Sequence, residues 1–130
     1  MATTVTPFLL FNGNAEEAIH FYVSLFPGGK IDEIVRYAAN ESGAAGSIKR
    51  ARLALANQSI FCTDSTVQQP FSFTPAISLF VQCTTESEID RLYAALSAGG
   101  STLMPLGNYG FSHKFGWIND RFGVSWQLNL

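Results

Sequence analysis

The feature that most limits what this chain can fold into is a repeat with a fixed offset. In "NGNAEEAIHFYVSLFPGG", Asn14, Glu17, Tyr22, Leu25 and Gly28-Gly29 each have a counterpart 71 positions later. The counterparts, in "TTESEIDRLYAALSAGG", are Thr85, Glu88, Tyr93, Leu96 and Gly99-Gly100. Each stretch opens with a side chain able to cap a helix and a glutamate three positions on, a capping-box arrangement. Ala15, Ala18, Ile19, Tyr22, Leu25 and Phe26 then recur at helical spacing, as do Ile89, Leu92, Tyr93 and Leu96. Each stretch predicts an amphipathic helix ended by its glycine pair. A strand opening with Thr-Pro precedes each helix, "TPFLLF" from Thr6 and "TPAISLFVQC" from Thr74. The chain is a duplication of units about 60 residues long.

After each helix the period changes from helical to alternating. "KIDEIVRYA", "SIKRARLALA" and "QSIFCTD" predict three strands in the first half, with "ANESGAAG" as a loop and Asn57-Gln58 as a tight turn. "STLMPL", "KFGWIND" and "GVSWQLNL" predict three in the second, with "GNYGFSH" as a loop and Asp120-Arg121-Phe122-Gly123 as a turn. The fold class is α+β: a strand–helix–three-strand module over residues 5–65, a polar linker at 66–73, and a second module over 74–130. One helix covers one face of each sheet, so the other face needs a partner. Two halves side by side are expected to form an open, curved, barrel-like sheet around a cleft.

Composition narrows the function. Hydrophobic residues make up 47% and charged residues 14% of 130, which is enough apolar surface for a folded core. A formal charge of −2 with scattered basic residues gives no footprint for nucleic acid. The cluster Lys49, Arg50 and Arg52 reads as a solvated strand edge. No apolar run approaches the roughly 18–20 residues that span a bilayer, and "MATTVTPFLLFNG" lacks a basic n-region, so neither a membrane span nor a secretory signal is expected. Cys62 and Cys83 read as core thiols of a cytoplasmic protein.

The last strand raises the question of chemistry. Val124, Trp126, Leu128 and Leu130 alternate with Ser125, Gln127 and Asn129. With Trp126 and Leu128 under a helix, the three polar residues point into the cleft. Just before it, "MPLGNYGFSHKFGWIND" brings together Tyr109, Phe111, His113, Phe115 and Trp117. Aromatics beside a cleft suit a flat or apolar small ligand, and His113 can move a proton near neutral pH. The plainer alternative makes Phe115 and Trp117 core filling and His113 a surface loop residue. Asp64 and Asp120 are the carboxylates nearest the cleft ends; acid–base work would need them within reach of one another, and Asp120 also reads as a turn former.

Paired modules of this kind resemble the vicinal oxygen chelate superfamily, which includes glyoxalase I, bleomycin-resistance proteins and extradiol dioxygenases. "TPFLLFNGNAEEAIHFYVSLFPGGKI", "TPAISLFVQC" and "PLGNYGFSHKFGWINDRFGVSWQLNL" are similar nearly throughout to the PhnB-like branch, often labelled a 3-demethylubiquinone 3-methyltransferase domain. The resemblance implies metal ligands on the cleft faces of the first, fourth, fifth and last strands. Those positions fall at or near Pro7, between Cys62 and Asp64, at or near Ala76, and at Gln127. Pro7 and Ala76 cannot ligate, so the expectation is no metal and no cofactor. It also implies that the loop before the seventh strand, with Tyr109 and Phe111, closes over the cleft, and that a second chain completes it, a homodimer.

The candidate ligand-binding residues are therefore Gln127, Trp117, Phe115, His113, Phe111, Tyr109, Cys62 and Asp64. Methyl transfer of the nucleotide-fold type needs a glycine-rich turn entering a helix, whereas Gly28-Gly29 and Gly99-Gly100 leave one. Three readings stand. The first is a metal-free binder of a small apolar or aromatic molecule. The others are a metal-dependent glyoxalase- or dioxygenase-type enzyme, and a structural domain whose cleft is filled by bulky residues such as Leu9, Phe11, Phe80 and Trp117.

Overall fold

The computed structural model describes residues 2–130, which divide into two compact units with the boundary between Ser72 and Phe73. In the first unit, strand β1 (Phe8–Phe11) leads to helix α1 (Ala15–Leu25), followed by β2 (Lys30–Arg36), β3 (Ile48–Leu55) and β4 (Gln58–Asp64). The sheet order is β1-β4-β3-β2, with β1 parallel to β4 and the other pairs antiparallel. In the second unit, β5 (Leu79–Gln82), α2 (Glu86–Ser97), β6 (Ser101–Gly107), β7 (Phe115–Asn119) and β8 (Ser125–Asn129) repeat the plan in the order β5-β8-β7-β6. Each unit is a strand–helix–three-strand module, and neither sheet closes on itself. Pro105, which has no N–H to give a ladder, lies in the edge strand β6.

Each helix buries one stripe on its sheet. Ala15, Ala18, Ile19, Tyr22 and Leu25 of α1 are buried with Phe11, Ala51, Leu53, Leu55, Ile60 and Cys62 of the strands. Ile89, Leu92 and Leu96 of α2 are buried with Ile118, Trp126 and Leu128. Removing each large apolar side chain from water stabilises the fold by roughly 1.5–3 kcal/mol before entropy is counted. Phe11 thus belongs to the core beneath α1.

The helix starts differ between the units. Thr85 caps α2 as expected: its Oγ1 accepts from Glu88 N at 3.1 Å. Glu88 Oε1 reaches back to Thr84 N at 2.9 Å, one residue before the cap itself. Asn14, by contrast, makes no side-chain cap bond, so the expected box over Asn14 and Glu17 is not formed. The carboxylate of Asp64 takes its place. Its Oδ1 accepts from Gly13 N and Ala15 N, both at 3.0 Å, and its Oδ2 accepts from Ile48 N at 2.9 Å. A negative group there also sits at the favourable end of the helix dipole.

The glycine pairs end the helices for two separate reasons. Gly28 and Gly99 both have φ of +75°, the left-handed conformation of a helix C-terminus. At Gly29 a Cβ would lie 2.3 Å from the Val23 carbonyl oxygen, and at Gly100 one would lie 2.1 Å from that of Asn119. The β3–β4 turn sits one residue earlier than the sequence predicts. Leu55 pairs with Gln58, so Ala56 and Asn57 form the turn, with Ala56 at φ +52°.

Candidate functional site

Two cross-strand rows on the face of the second sheet turned away from α2 build the candidate site. Met104, Trp117, Gln127 and Phe80 are successive ladder partners across β6, β7, β8 and β5. Phe115, Asn129 and Gln82 form the neighbouring row across β7, β8 and β5. Residues two apart on a strand share a face, so the rows lie side by side. With Phe111 from the loop before β7, six of these residues line a cavity of about 430 Å³: Phe80, Met104, Phe115, Trp117, Gln127 and Asn129. All of its lining comes from the second unit.

The loop aromatics form a stack at this site. Tyr109 and Phe111 lie parallel with ring centroids 6.2 Å apart, and Phe111 meets Phe115 edge-on at 5.0 Å. Tyr109 also meets Phe115 edge-on, at 6.3 Å, and its hydroxyl donates to the Pro105 carbonyl. These arrangements are the favoured ones for aromatic pairs, and they hold Phe111 in place although it is 63% exposed.

Beneath the rings runs a polar chain. Trp117 Nε1 donates to Ser125 Oγ at 2.9 Å, Ser125 and Ser78 share a hydrogen bond of 2.6 Å, and Gln127 Nε2 lies 3.3 Å from Ser78 Oγ. Trp126 and Leu128, on either side of Gln127, are buried on the opposite face. The alternation of β8 therefore runs as expected, with Gln127 and Asn129 at the pocket; Ser125 is buried behind the Trp117 indole.

The other candidates lie elsewhere. His113 is exposed and pairs with Glu86 Oε1 of α2 at 2.6 Å, while its main-chain N–H donates to the Leu130 carbonyl at 3.0 Å. Lys114 joins the same cluster, 2.7 Å from Asp90 and 3.5 Å from Glu86. The His113 hydrogen bond, then the Lys114 charge, hold the Glu86 carboxyl below its ordinary range, and the bond to Asp90 raises Lys114.

Cys62 and Asp64 share the face of Ile60, toward α1, and not the open side of their sheet. Burial, and after it the Asp64 charge, push the Cys62 thiol up to about 12. Asp64 is 2% exposed and takes the three main-chain N–H groups already described. Asp120 plays the matching part in the second unit, accepting from Phe122 N at 2.8 Å, Val124 N at 3.1 Å and Trp126 Nε1 at 2.9 Å.

Three lining residues stood outside the sequence candidates: Phe80, which the sequence offered only as bulk filling the cleft, Asn129 and Met104. Asn129 follows from the same alternation as Gln127. Met104 is placed by its ladder partner Trp117 next to a register shift in β6, and one strand's sequence does not show a partner. Among the described residues, no group of three or more His, Cys, Asp and Glu side chains is placed to hold a metal ion. Gln127 would offer one neutral oxygen, and a first-row ion needs three or four donors, so this donor set does not fit the superfamily's metal.

Comparison with known proteins agrees with this architecture. Residues 3–129 match the family described as 3-demethylubiquinone-9 3-methyltransferase. The PhnB protein from Bacillus cereus is similar at 51% identity, over 98% of this chain and 99% of that one, with a TM-score of 0.96. Protein PA1353 from Pseudomonas aeruginosa is similar at 31% identity, over 98% and 97%, with a TM-score of 0.86. The fosfomycin resistance protein FosX from Listeria monocytogenes, 12% identical over 99% and 93%, shares the fold with a TM-score of 0.61. With two modules of the expected plan and a match across nearly its whole length, the chain has the vicinal oxygen chelate fold and belongs to the PhnB-like, 3-demethylubiquinone-9 3-methyltransferase family.

Proposed function

We propose that this chain is a metal-free binder of a small apolar or aromatic molecule, held in the pocket of the second unit, and that it works as a cytoplasmic homodimer. The observation that carries the reading is the pocket itself. Four aromatic rings and Met104 surround two amides in about 430 Å³, the proportion of apolar wall to polar anchor typical of small-molecule sites. A ring entering between Trp117, Phe115 and Phe111 leaves water for offset and edge-on contacts. Phe80, 59% exposed, lines the space without filling it.

The donor inventory supports binding without a metal. Pro7 and Ala76 have nothing to give, Cys62 is a buried neutral thiol, and Asp64 is committed to main-chain N–H groups. The reading assigns no methyl transfer, because Gly28-Gly29 and Gly99-Gly100 end helices where a nucleotide-type site uses glycines to begin one. Support for the homodimer comes from Phe8, Phe71, Ile77 and Phe80, which are 61%, 59%, 78% and 59% exposed in one chain. A second copy covering them removes apolar surface from water. Two free buried cysteines suit a reducing compartment.

Equilibrium dialysis against 2-naphthol, with metal analysis of untagged protein, tests the reading. One molecule per chain should bind; Trp117→Ala should weaken it at least about tenfold, and Arg52→Ala in the first unit should leave it unchanged. No saturable binding, equal binding by Trp117→Ala, or one divalent ion per chain whose removal lowers the melting temperature overturns it.

A further inference from the structure

The polar corner of the pocket contains one amide whose orientation the main chain decides. Main-chain carbonyls only accept hydrogen bonds. Gln82 Nε2 lies 3.3 Å from the main-chain oxygen of Asn129 and 3.4 Å from that of Cys83, so the nitrogen end of Gln82 faces the main chain. Its Oε1 then faces the other way and also only accepts. Asn129 must therefore meet it through Nδ2, which it does at 2.9 Å. The end left over is Asn129 Oδ1, and among the described residues no group donates to it.

Gln127 is under no such constraint. Its partner is the Ser78 hydroxyl, which gives or takes a hydrogen bond and is already shared with Ser125. Either end of the Gln127 carboxamide satisfies that hydroxyl. The remaining character of the site is its charge: none of the seven lining residues is ionisable. A carboxylate or phosphate finds no cation there, and a full cation finds no carboxylate.

Resting on the reading of this pocket as a binding site, we infer that Asn129 Oδ1 selects its ligands, and that they are neutral flat aromatic molecules carrying an O–H or N–H donor. Phenols, indoles and arylamines fit this description; aryl ethers, ketones and acids do not. An aromatic molecule without a donor strips water from Asn129 Oδ1 and returns no bond. A site built to bond a donor rejects the analogue that lacks it for that reason.

The test is a set of dissociation constants for 2-naphthol, naphthalene and 2-methoxynaphthalene with the full chain at pH 7. The phenol should bind about tenfold tighter than either of the others, although both are more apolar. Asn129→Leu should erase the gap and Gln127→Leu should keep it. Equal binding of all three compounds by the wild-type chain overturns the inference and leaves the binding site standing. So does a gap that survives Asn129→Leu and vanishes in Gln127→Leu. If none of the three binds the wild-type chain, the binding site falls, and the inference with it. The wild-type comparison alone decides between these outcomes should a variant fail to fold.

Discussion

The two units carry the same scaffold and opposite chemistry on the face turned away from the helix. Taken in the same strand order, the ladder row in the first unit reads Phe8, Phe61, Arg52, Glu33. The corresponding row in the second reads Phe80, Gln127, Trp117, Met104. An anchoring phenylalanine is common to both; the first row then runs through Phe61 to the charged Arg52 and Glu33, and the second through the neutral Gln127 to Trp117 and Met104. Arg50 sits 3.0 Å from Glu33 on the charged face, and this bond, with the Arg50 and Arg52 charges, holds the Glu33 carboxyl below its ordinary range. Under the helices the two halves are far more alike: apolar stripes, glycine pairs and one buried aspartate apiece. The core side must close in each module for that module to fold. The outer face carries no such demand, so that is where the halves separate, and where the pocket of the second unit lies.

The largest effect expected from testing this comparison lies on the shared side. Asp64→Ala and Asp120→Ala each strip a buried acceptor from three N–H groups, and each should lower stability by at least about 3 kcal/mol in urea unfolding. Arg52→Ala, on the divergent face, should stay within about 0.5 kcal/mol. A loss below about 1 kcal/mol at either aspartate would remove the claim that these two residues anchor their units.

A smaller effect comes from a core position where the halves differ. Cys62 pairs with Leu9 in the ladder as Leu128 pairs with Val81, so the first unit places an ionisable thiol where the second has a leucine. Burial raises that thiol from 9.0 to about 12, so the fold prefers it neutral. Below pH 9 it is protonated whether folded or unfolded, and its contribution is fully present. Between 9 and 12 the unfolded chain loses the proton first, and stability falls as pH rises. The drop in urea midpoint from pH 8 to pH 10 should be visibly smaller in Cys62→Ala than in the wild type. An equal drop would place the alkaline loss in other groups.

The smallest effect concerns the hairpins. Gly123 takes φ +91° between β7 and β8, whereas between β3 and β4 Ala56 holds φ +52° with a side chain. Ala56→Gly should raise stability by up to about 1 kcal/mol, and Gly123→Ala should lower it. A destabilised Ala56→Gly would mean that the glycine's extra freedom in the unfolded chain outweighs the relieved turn.

Legibility in the sequence followed how local each determinant was. The two modules were plain, because the 71-residue offset repeats both a helix stripe and its terminating glycines. Thr85 and Glu88 act within one turn of helix, so their roles could be read directly. Asn14 had the same local pattern and lost to Asp64, whose carboxylate arrives from a strand 49 residues from Ala15. At the site, period two was enough to put Gln127 at the pocket. The same period in "QSIFCTD" groups Cys62 and Asp64 with Ile60, on the core side, where counting along the superfamily's strands suggested the cleft. Met104 and the Asn129–Gln82 pair depend on which strands are neighbours and in what register. Tertiary pairing decides that, and no single segment encodes it.

The Asp64 carboxylate also sets a schedule. A ribosome releases α1 long before it has made β4, and the acceptor for Gly13 and Ala15 is 51 and 49 residues behind them. At about 5–20 residues per second, α1 waits several seconds for its cap. Its Oδ2 meanwhile belongs to Ile48, so one residue completes the helix start and the beginning of β3 together. The second helix carries its cap with it and has no such delay. Within one duplicated gene product, the first copy can finish only when its last strand is synthesised, while the helix of the second is ready as soon as it emerges.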